Sequence, residues 1–170
     1  MLRCSASSGS GGHARAVIHR RGQPEDEEFV GDALLREALN PLGIDLSRFL
    51  VAEDAITGEP LGFGQLELKE PGVYELRSLV VEPKERDKGI GLGLVRALLD
   101  TLTPSDKVWL VTVRSRVSFY VKFGFAELPR AGWISLLPRW LWFEAVAGSL
   151  VARLAVGEPL VALYRSPQGM

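Results

Sequence analysis

The stretch that most constrains this chain is Val80-Val81-Glu82-Pro83-Lys84-Glu85-Arg86-Asp87-Lys88-Gly89-Ile90-Gly91. A β-rich run, Val73 to Val81, stops at Pro83. Leu94, Val95, Leu98, Leu99 and Leu102 then recur at helical spacing. Strand, glycine loop and helix together make a device for holding phosphate. Gly89 and Gly91 have no Cβ to keep the backbone from a bulky anion. The free N–H groups of the first helical turn point at that anion, and the helix dipole favours its charge. Turn glycines ahead of a helix also occur for the sake of the turn alone, so the neighbouring residues decide.

At 170 residues the chain has room for one domain with a substantial core. We read residues 1–13, rich in Ser and Gly, as a flexible tail or targeting remnant, and residues 14–168 as a single domain. A hydrophobic content of 46% with 24% charged residues fits a soluble globular protein. The net charge of -1 argues against broad nucleic-acid binding, which needs a basic face. A single cysteine, Cys4, excludes an internal disulfide framework and a cysteine-rich metal site. His13 and His19 have no further ligands clustered near them, so no metal is expected. Through Gly22 there is no acid, while Arg3, Arg15, Arg20 and Arg21 are basic. That composition suits an organelle-targeting segment, and equally a plain tail on a cytoplasmic protein.

Along the chain, Ala16 to Arg20 reads as a first strand. Pro24-Glu25-Asp26-Glu27-Glu28 opens a helix as a solvated acidic start, and Pro41 ends it. Phe49–Ala55, Leu61–Leu68 and Val73–Val81 form an antiparallel meander, turned at Thr57-Gly58-Glu59-Pro60 and Pro71-Gly72. Val108–Val113 follows the central helix as a parallel strand. Ser115–Lys122 is a short helix, Phe125 begins a strand, and Leu160–Arg165 is the last. Residues 131–156 are rich in Trp and Leu. Arg139, Glu144 and Arg153 interrupt them, so no charge-free run approaches the ~20 residues of a membrane span. A buried helix or an amphipathic flap is expected there, with membrane-surface contact through the tryptophans as the alternative.

Arg86-x-x-Gly89-x-Gly91, directly after Leu79-Val80-Val81-x-Pro83, resembles the acetyl-CoA loop of the GNAT N-acetyltransferase superfamily. Phe119-Tyr120-x-x-Phe123-Gly124-Phe125 resembles that superfamily's late motif. The likeness covers roughly residues 15 to 166. Leu39-Asn40-Pro41-Leu42-Gly43-Ile44-Asp45 is closer to a cyanobacterial and plastid-type branch. The resemblance implies an α/β (α+β) fold: a mixed, mostly antiparallel sheet of about seven strands, with helices on both faces and a splayed central strand pair. It implies acetyl-CoA as co-substrate and no metal. It fixes no oligomeric state, and it makes Asn40 to Asp45 a border of the acceptor site.

By the same resemblance, the pyrophosphate sits on the amides of Arg86, Asp87, Lys88, Gly89, Ile90, Gly91 and Leu92. The pantetheine arm pairs like an extra strand with Leu79, Val80 and Val81. Asp87 departs from the usual basic or glycine residue. Val113 stands where many relatives carry an asparagine, and Ser115 is the candidate substitute. Glu75, eleven residues before Arg86, is the candidate general base, and strict alternation puts Glu75, Arg77, Leu79 and Val81 on one face. The other reading of Glu75 is a structural pair with Arg77. Tyr120 is the candidate general acid toward the departing thiolate. No cysteine lies near the motifs, so transfer to the amine is direct. Three functions stay open: an acetyltransferase for protein lysine or N-terminal amines, one for a small amine, and a non-catalytic CoA-binding module.

Overall fold

The computed structural model describes residues 15–39, 44–132, 136–142 and 157–166. Its strands are β1 (Val17–Arg21), β2 (Phe49–Asp54), β3 (Pro60–Glu70), β4 (Val73–Val81), β5 (Lys107–Val113), β6 (Ala126–Leu128) and β7 (Leu160–Arg165). Its helices are α1 (Glu27–Arg36), α2 (Ile90–Leu99) and α3 (Val117–Val121). The seven strands form a sheet in the order β1-β2-β3-β4-β5-β7-β6. The β4–β5 pair is parallel, as the α2 crossover requires, and β1–β2, β2–β3, β5–β7 and β6–β7 are antiparallel. The mixed, mostly antiparallel sheet expected from the sequence is what forms.

Packing divides the chain into two units. One comprises the residues up to Gln65 with Ser78–Thr101. Here neighbouring residues of β2 point to opposite faces, and each face has its own helix. Val51 packs with Val30, Ala33 and Leu34 of α1, together with Phe49, Phe63 and Val80. Ala52 packs with Ile90 and Leu94 of α2, together with Leu61. Phe63 stacks edge-on against Phe29 and Phe49, at 5.7 and 5.5 Å between ring centroids. Each fully buried Leu or Phe here contributes about 1.5–3 kcal/mol of apolar burial.

The other unit comprises Leu66–Arg77 and the residues from Leu102 onward. Its core joins Leu128, Leu137, Leu141 and Ala162, with Trp109, Val111, Trp140 and Tyr164 packed around them. Among the described residues no helix is long and apolar enough to cross a membrane. The rest of the Trp-rich stretch (133–135 and 143–156), Asn40 to Gly43, the 1–13 tail and His13 lie outside the described residues.

Four local expectations change. The acidic start of α1 is not all solvated: Asp26 is 3% exposed and takes two hydrogen bonds from Arg20, at 2.6 and 2.9 Å. A 3-10 turn, Pro24–Asp26, precedes the helix. The helix ends at Arg36, ahead of Pro41, because Ala38 turns left-handed at φ 54. Leu39 N then donates to Leu34 O, and Ala38 N to Leu35 O, which closes a Schellman motif. Finally, Ser115 lies in a 3-10 turn, Arg114–Arg116, and α3 itself is only Val117–Val121.

Candidate functional site

The sequence places a left-handed turn between β4 and α2. Asp87 (φ 62) and Gly89 (φ 84) are both left-handed, and Asp87, Lys88 and Gly89 are all exposed. Asp is one of the few non-glycine residues that tolerate this conformation. Gly89 is the N-cap of α2 and brings no side chain to cap it. Ile90, 5% exposed, pins the helix start to the core. Arg86 N reaches Pro83 O at 3.4 Å, and the next amide with a main-chain acceptor, among the described residues, is Gly93 on Gly89 O. The amides from Asp87 to Leu92 thus form a run of donors at the positive end of a ten-residue helix. Such a run receives an anion.

The loop is held by ion pairs that local sequence does not announce. Arg86 does not present its guanidinium freely: Nε donates to Val81 O at 3.1 Å, and Nη2 pairs with Glu37. Arg36 beside it bonds Glu82 at 2.5 Å. Two adjacent residues ending α1 therefore clamp the two ends of the loop with opposite charges. Lys88 pairs with Glu85 at 3.2 Å, and Glu85 is 5% exposed. Arg15 bonds Glu85 at 2.8 Å and also pairs with Asp54. Lys88 is half-free, since its side chain keeps 57% exposure.

Strand β4 is interrupted in its middle. Ser78 is left-handed at φ 53, a sparsely populated conformation for a residue with a Cβ. Alternation restarts after it. Val80 packs against α1 and Phe63, while Leu79 and Val81 pack beside Ile90, Leu94 and Leu61. Glu75 and Arg77 therefore do not continue onto one face with Leu79 and Val81, as unbroken alternation had implied. Gly62 of β3 is needed here: a Cβ would sit 2.6 Å from Val80 O. The β4–β5 ladder covers only Val73, Tyr74 and Glu75 against Lys107, Val108 and Trp109. Strand β5 meanwhile pairs with β7 from Val108 to Val113.

Glu75 is 3% exposed. Lys69 Nζ lies 2.9 Å from its Oε2 and Arg77 Nη1 3.8 Å. The same cations hold Glu67, at 2.9 and 3.0 Å. Glu75 belongs to a network of two acids and two bases rather than to a simple pair with Arg77. Burial works against the charge of Lys69, but its bonds to Glu67 and Glu75 outweigh that and raise its pKa. Its ammonium also lies 5.1 Å from the centroid of the Trp140 ring.

Tyr120 stands in an aromatic cluster with Phe119 at 5.0 Å and Phe125 at 6.0 Å between centroids. Phe119 in turn meets Phe123 at 5.5 Å. Burial pushes the Tyr120 hydroxyl up to about 12, against a smaller opposing effect of Arg116. Ser115 is exposed, and its amide donates to Glu158 at 2.8 Å. Among the described residues no group of three or more His, Cys, Asp or Glu is placed to hold a metal ion.

Residues 45–127 match the family model of the acetyltransferase (GNAT) domain. It is this stretch that is similar to a GNAT domain. It holds β2 to β5, the left-handed loop, α2 and Tyr120. Over 98 residues the chain is 33% identical to mycothiol acetyltransferase of Mycobacterium leprae, covering 56% of this chain and 30% of that protein. The chain thus spans about 30% of the length of the curated relatives it matches. Among solved structures, Rv2747 from Mycobacterium tuberculosis, in complex with CoA, matches 88% of this chain and 98% of its own (TM-score 0.65, 20% identity). N-acetylglutamate synthase from Neisseria gonorrhoeae, complexed with coenzyme A and N-acetyl-glutamate, matches 90% of this chain and 35% of its own (TM-score 0.66, 16% identity). A Staphylococcus aureus GNAT acetyltransferase matches 90% and 100% (TM-score 0.62, 18% identity). These three structures share the fold of this chain.

Proposed function

We propose that the chain is an N-acetyltransferase that moves acetyl from acetyl-CoA directly to a primary amine. The observation that carries this reading is the run of amides from Asp87 to Leu92 at the start of α2, without main-chain acceptors among the described residues and exposed at Asp87, Lys88 and Gly89. The cofactor's pyrophosphate rests on that run, with Lys88 beside it. Its pantetheine arm lies along the main chain of Leu79, Val80 and Val81, which follow the left-handed Ser78. The CoA complexes of the fold relatives named above support this placement.

In the reaction the amine nitrogen attacks the thioester carbonyl, a C–N bond forms, and the C–S bond breaks. The amine proton passes to a base, for which Glu75 is the candidate, through water. Tyr120 donates a hydrogen bond to the departing sulfur. With a pKa near about 12, it surrenders its proton reluctantly to a thiolate whose own value is about 8.5. Its role is therefore to stabilise the thiolate while the proton arrives from elsewhere. Ser115 is a weaker candidate, because its amide is already engaged by Glu158.

The acceptor we favour is a protein lysine or N-terminal amine. A plastid setting is part of that reading. It rests on the Leu39–Asp45 likeness and on the acid-free basic run through Gly22. Mycothiol acetyltransferase keeps a small-amine acceptor in play. A second reading, a CoA-binding module without turnover, draws on the cations that hold Glu75 and on Val113 in place of asparagine. Thermal-shift measurements with acetyl-CoA, CoA and ATP test the site. Free-thiol release with lysine peptides and with small amines tests the chemistry. Stabilisation by acetyl-CoA with thiol release into an amine is the expected result. Stabilisation without release selects the module, and no stabilisation rejects both. Turnover by Glu75→Gln equal to wild type at every pH removes the base assignment.

A further inference from the structure

A cavity of about 310 Å³ opens in the second unit, lined by Lys107, Trp109, Leu128, Leu136, Tyr164 and the rim residues Arg165 and Ser166. Its size is at the lower end of small-molecule sites. The register explains its chemistry. Lys107 and Trp109 lie two apart on β5 and share a face, and Tyr164 of β7 pairs with Trp109 across it. The two rings stand 5.6 Å apart between centroids, tilted by 36°, and both are only half-buried. Leu128 and the 60%-exposed Leu136 supply aliphatic walls. Among the described residues no ion pair engages Lys107 or Arg165, although both carry charge at the cavity.

We infer that this cavity binds a small planar aromatic carboxylate. The rings and leucines take the flat apolar body, and Lys107, exposed beside Trp109, takes the carboxylate. A cation is disfavoured by the same lysine and by Arg165, and a small inorganic anion would leave the aromatic and leucine walls uncovered. The inference is independent of acyl transfer and of the acetyl-CoA loop.

The test uses the full chain and 2-naphthoate, with 2-naphthalenemethanol as the neutral analogue, followed by calorimetry. Saturable binding of the acid, about tenfold tighter than the alcohol, is expected for one charge-assisted contact. Lys107→Gln should weaken the acid to the level of the alcohol and leave the alcohol unchanged. Tyr164→Ala should weaken both. Lys107 is exposed and its main-chain bond to Gly72 O survives substitution, so this variant reports even if Tyr164→Ala misfolds. Absence of saturable binding, equal binding of acid and alcohol, or indifference to Lys107→Gln overturns the inference. Binding of acetyl-CoA should be unchanged in Lys107→Gln, which separates this site from the loop.

Discussion

Arg15 Nη1 lies 2.8 Å from a carboxylate oxygen of Glu85, the buried residue that ends the 3-10 turn ahead of the left-handed loop. The same guanidinium pairs with Asp54, at the end of β2. One side chain thus ties the sheet to the loop that we assign to the pyrophosphate. Lys88, the other partner of Glu85, is free to turn toward an anion only if Arg15 keeps Glu85 neutralised. Arg15→Gln should therefore weaken acetyl-CoA binding by roughly tenfold, the size expected for one charge-assisted contact. Arg15→Lys should restore most of it. Calorimetric titration with CoA checks this, and wild-type affinity in Arg15→Gln refutes the coupling.

Asp54 gives a pH prediction. The amides of Thr57, together with Arg15 and the amide of Ile56, hold its carboxyl down to about 2, from an ordinary value of 3.8. Its folded pKa is depressed, so the unfolded chain binds the proton first as pH falls. The stabilisation is complete above pH 3.8 and is lost progressively toward pH 2. Asp54→Asn should flatten stability against pH across that window and lower the melting temperature at pH 7. Thermal melts from pH 7 to pH 2 check both; a parallel offset at every pH would show that the charge is not the source.

His19 acts in the opposite sense to a paired histidine. Its Nε2 is buried without a hydrogen-bond partner among the described residues, and burial lowers its pKa from 6.5. The folded chain resists the proton that the unfolded chain accepts, so stability falls as pH drops below about 6.5. His19→Phe should remove that part of the acid sensitivity. Melts at pH 7.5 and 5.5 give the comparison, and an unchanged difference between them would exclude His19 as the group responsible.

Much of this was legible in the sequence because it is local. Alternation marks β2 to β4, and Thr57-Gly58 and Pro71-Gly72 mark their turns. Gly89 before a leucine-rich helix marks the loop. What was not legible depends on residues that carry no local sign. Ala38 and Ser78 take left-handed backbone without being glycine or asparagine, so neither the end of α1 nor the break in β4 shows in composition. The partners of Arg86, Asp26 and Glu85 lie in other elements. An arginine drawn toward a distant acid looks, in sequence, the same as one waiting for a phosphate.

Tyr120→Phe separates the thiolate contact from packing. The ring, with its contacts to Phe119 and Phe125, is kept, and only the hydroxyl is lost. Maximal turnover should fall by about 10²-fold, the scale for losing one donor to a developing anion, with the KM for acetyl-CoA unchanged. Steady-state kinetics in both substrates decide it. A rise in KM at constant turnover would make Tyr120 a binding residue instead.

Asp87 is the residue where the loop departs from the superfamily pattern, and it combines two unfavourable features. Its backbone is left-handed at φ 62, and it is an exposed acid in the loop assigned to a diphosphate. Glycine takes that backbone without a steric cost and removes the like charge. Asp87→Gly should tighten CoA binding about three- to tenfold, more at low salt than at high salt, because an exposed charge is screened. Asp87→Asn keeps the backbone preference and removes only the charge, so it should give most of the gain if repulsion dominates and little if strain does. CoA titrations of the three proteins at two ionic strengths decide between them. Weaker binding in both variants would mean that the carboxylate orders the loop rather than opposing its ligand.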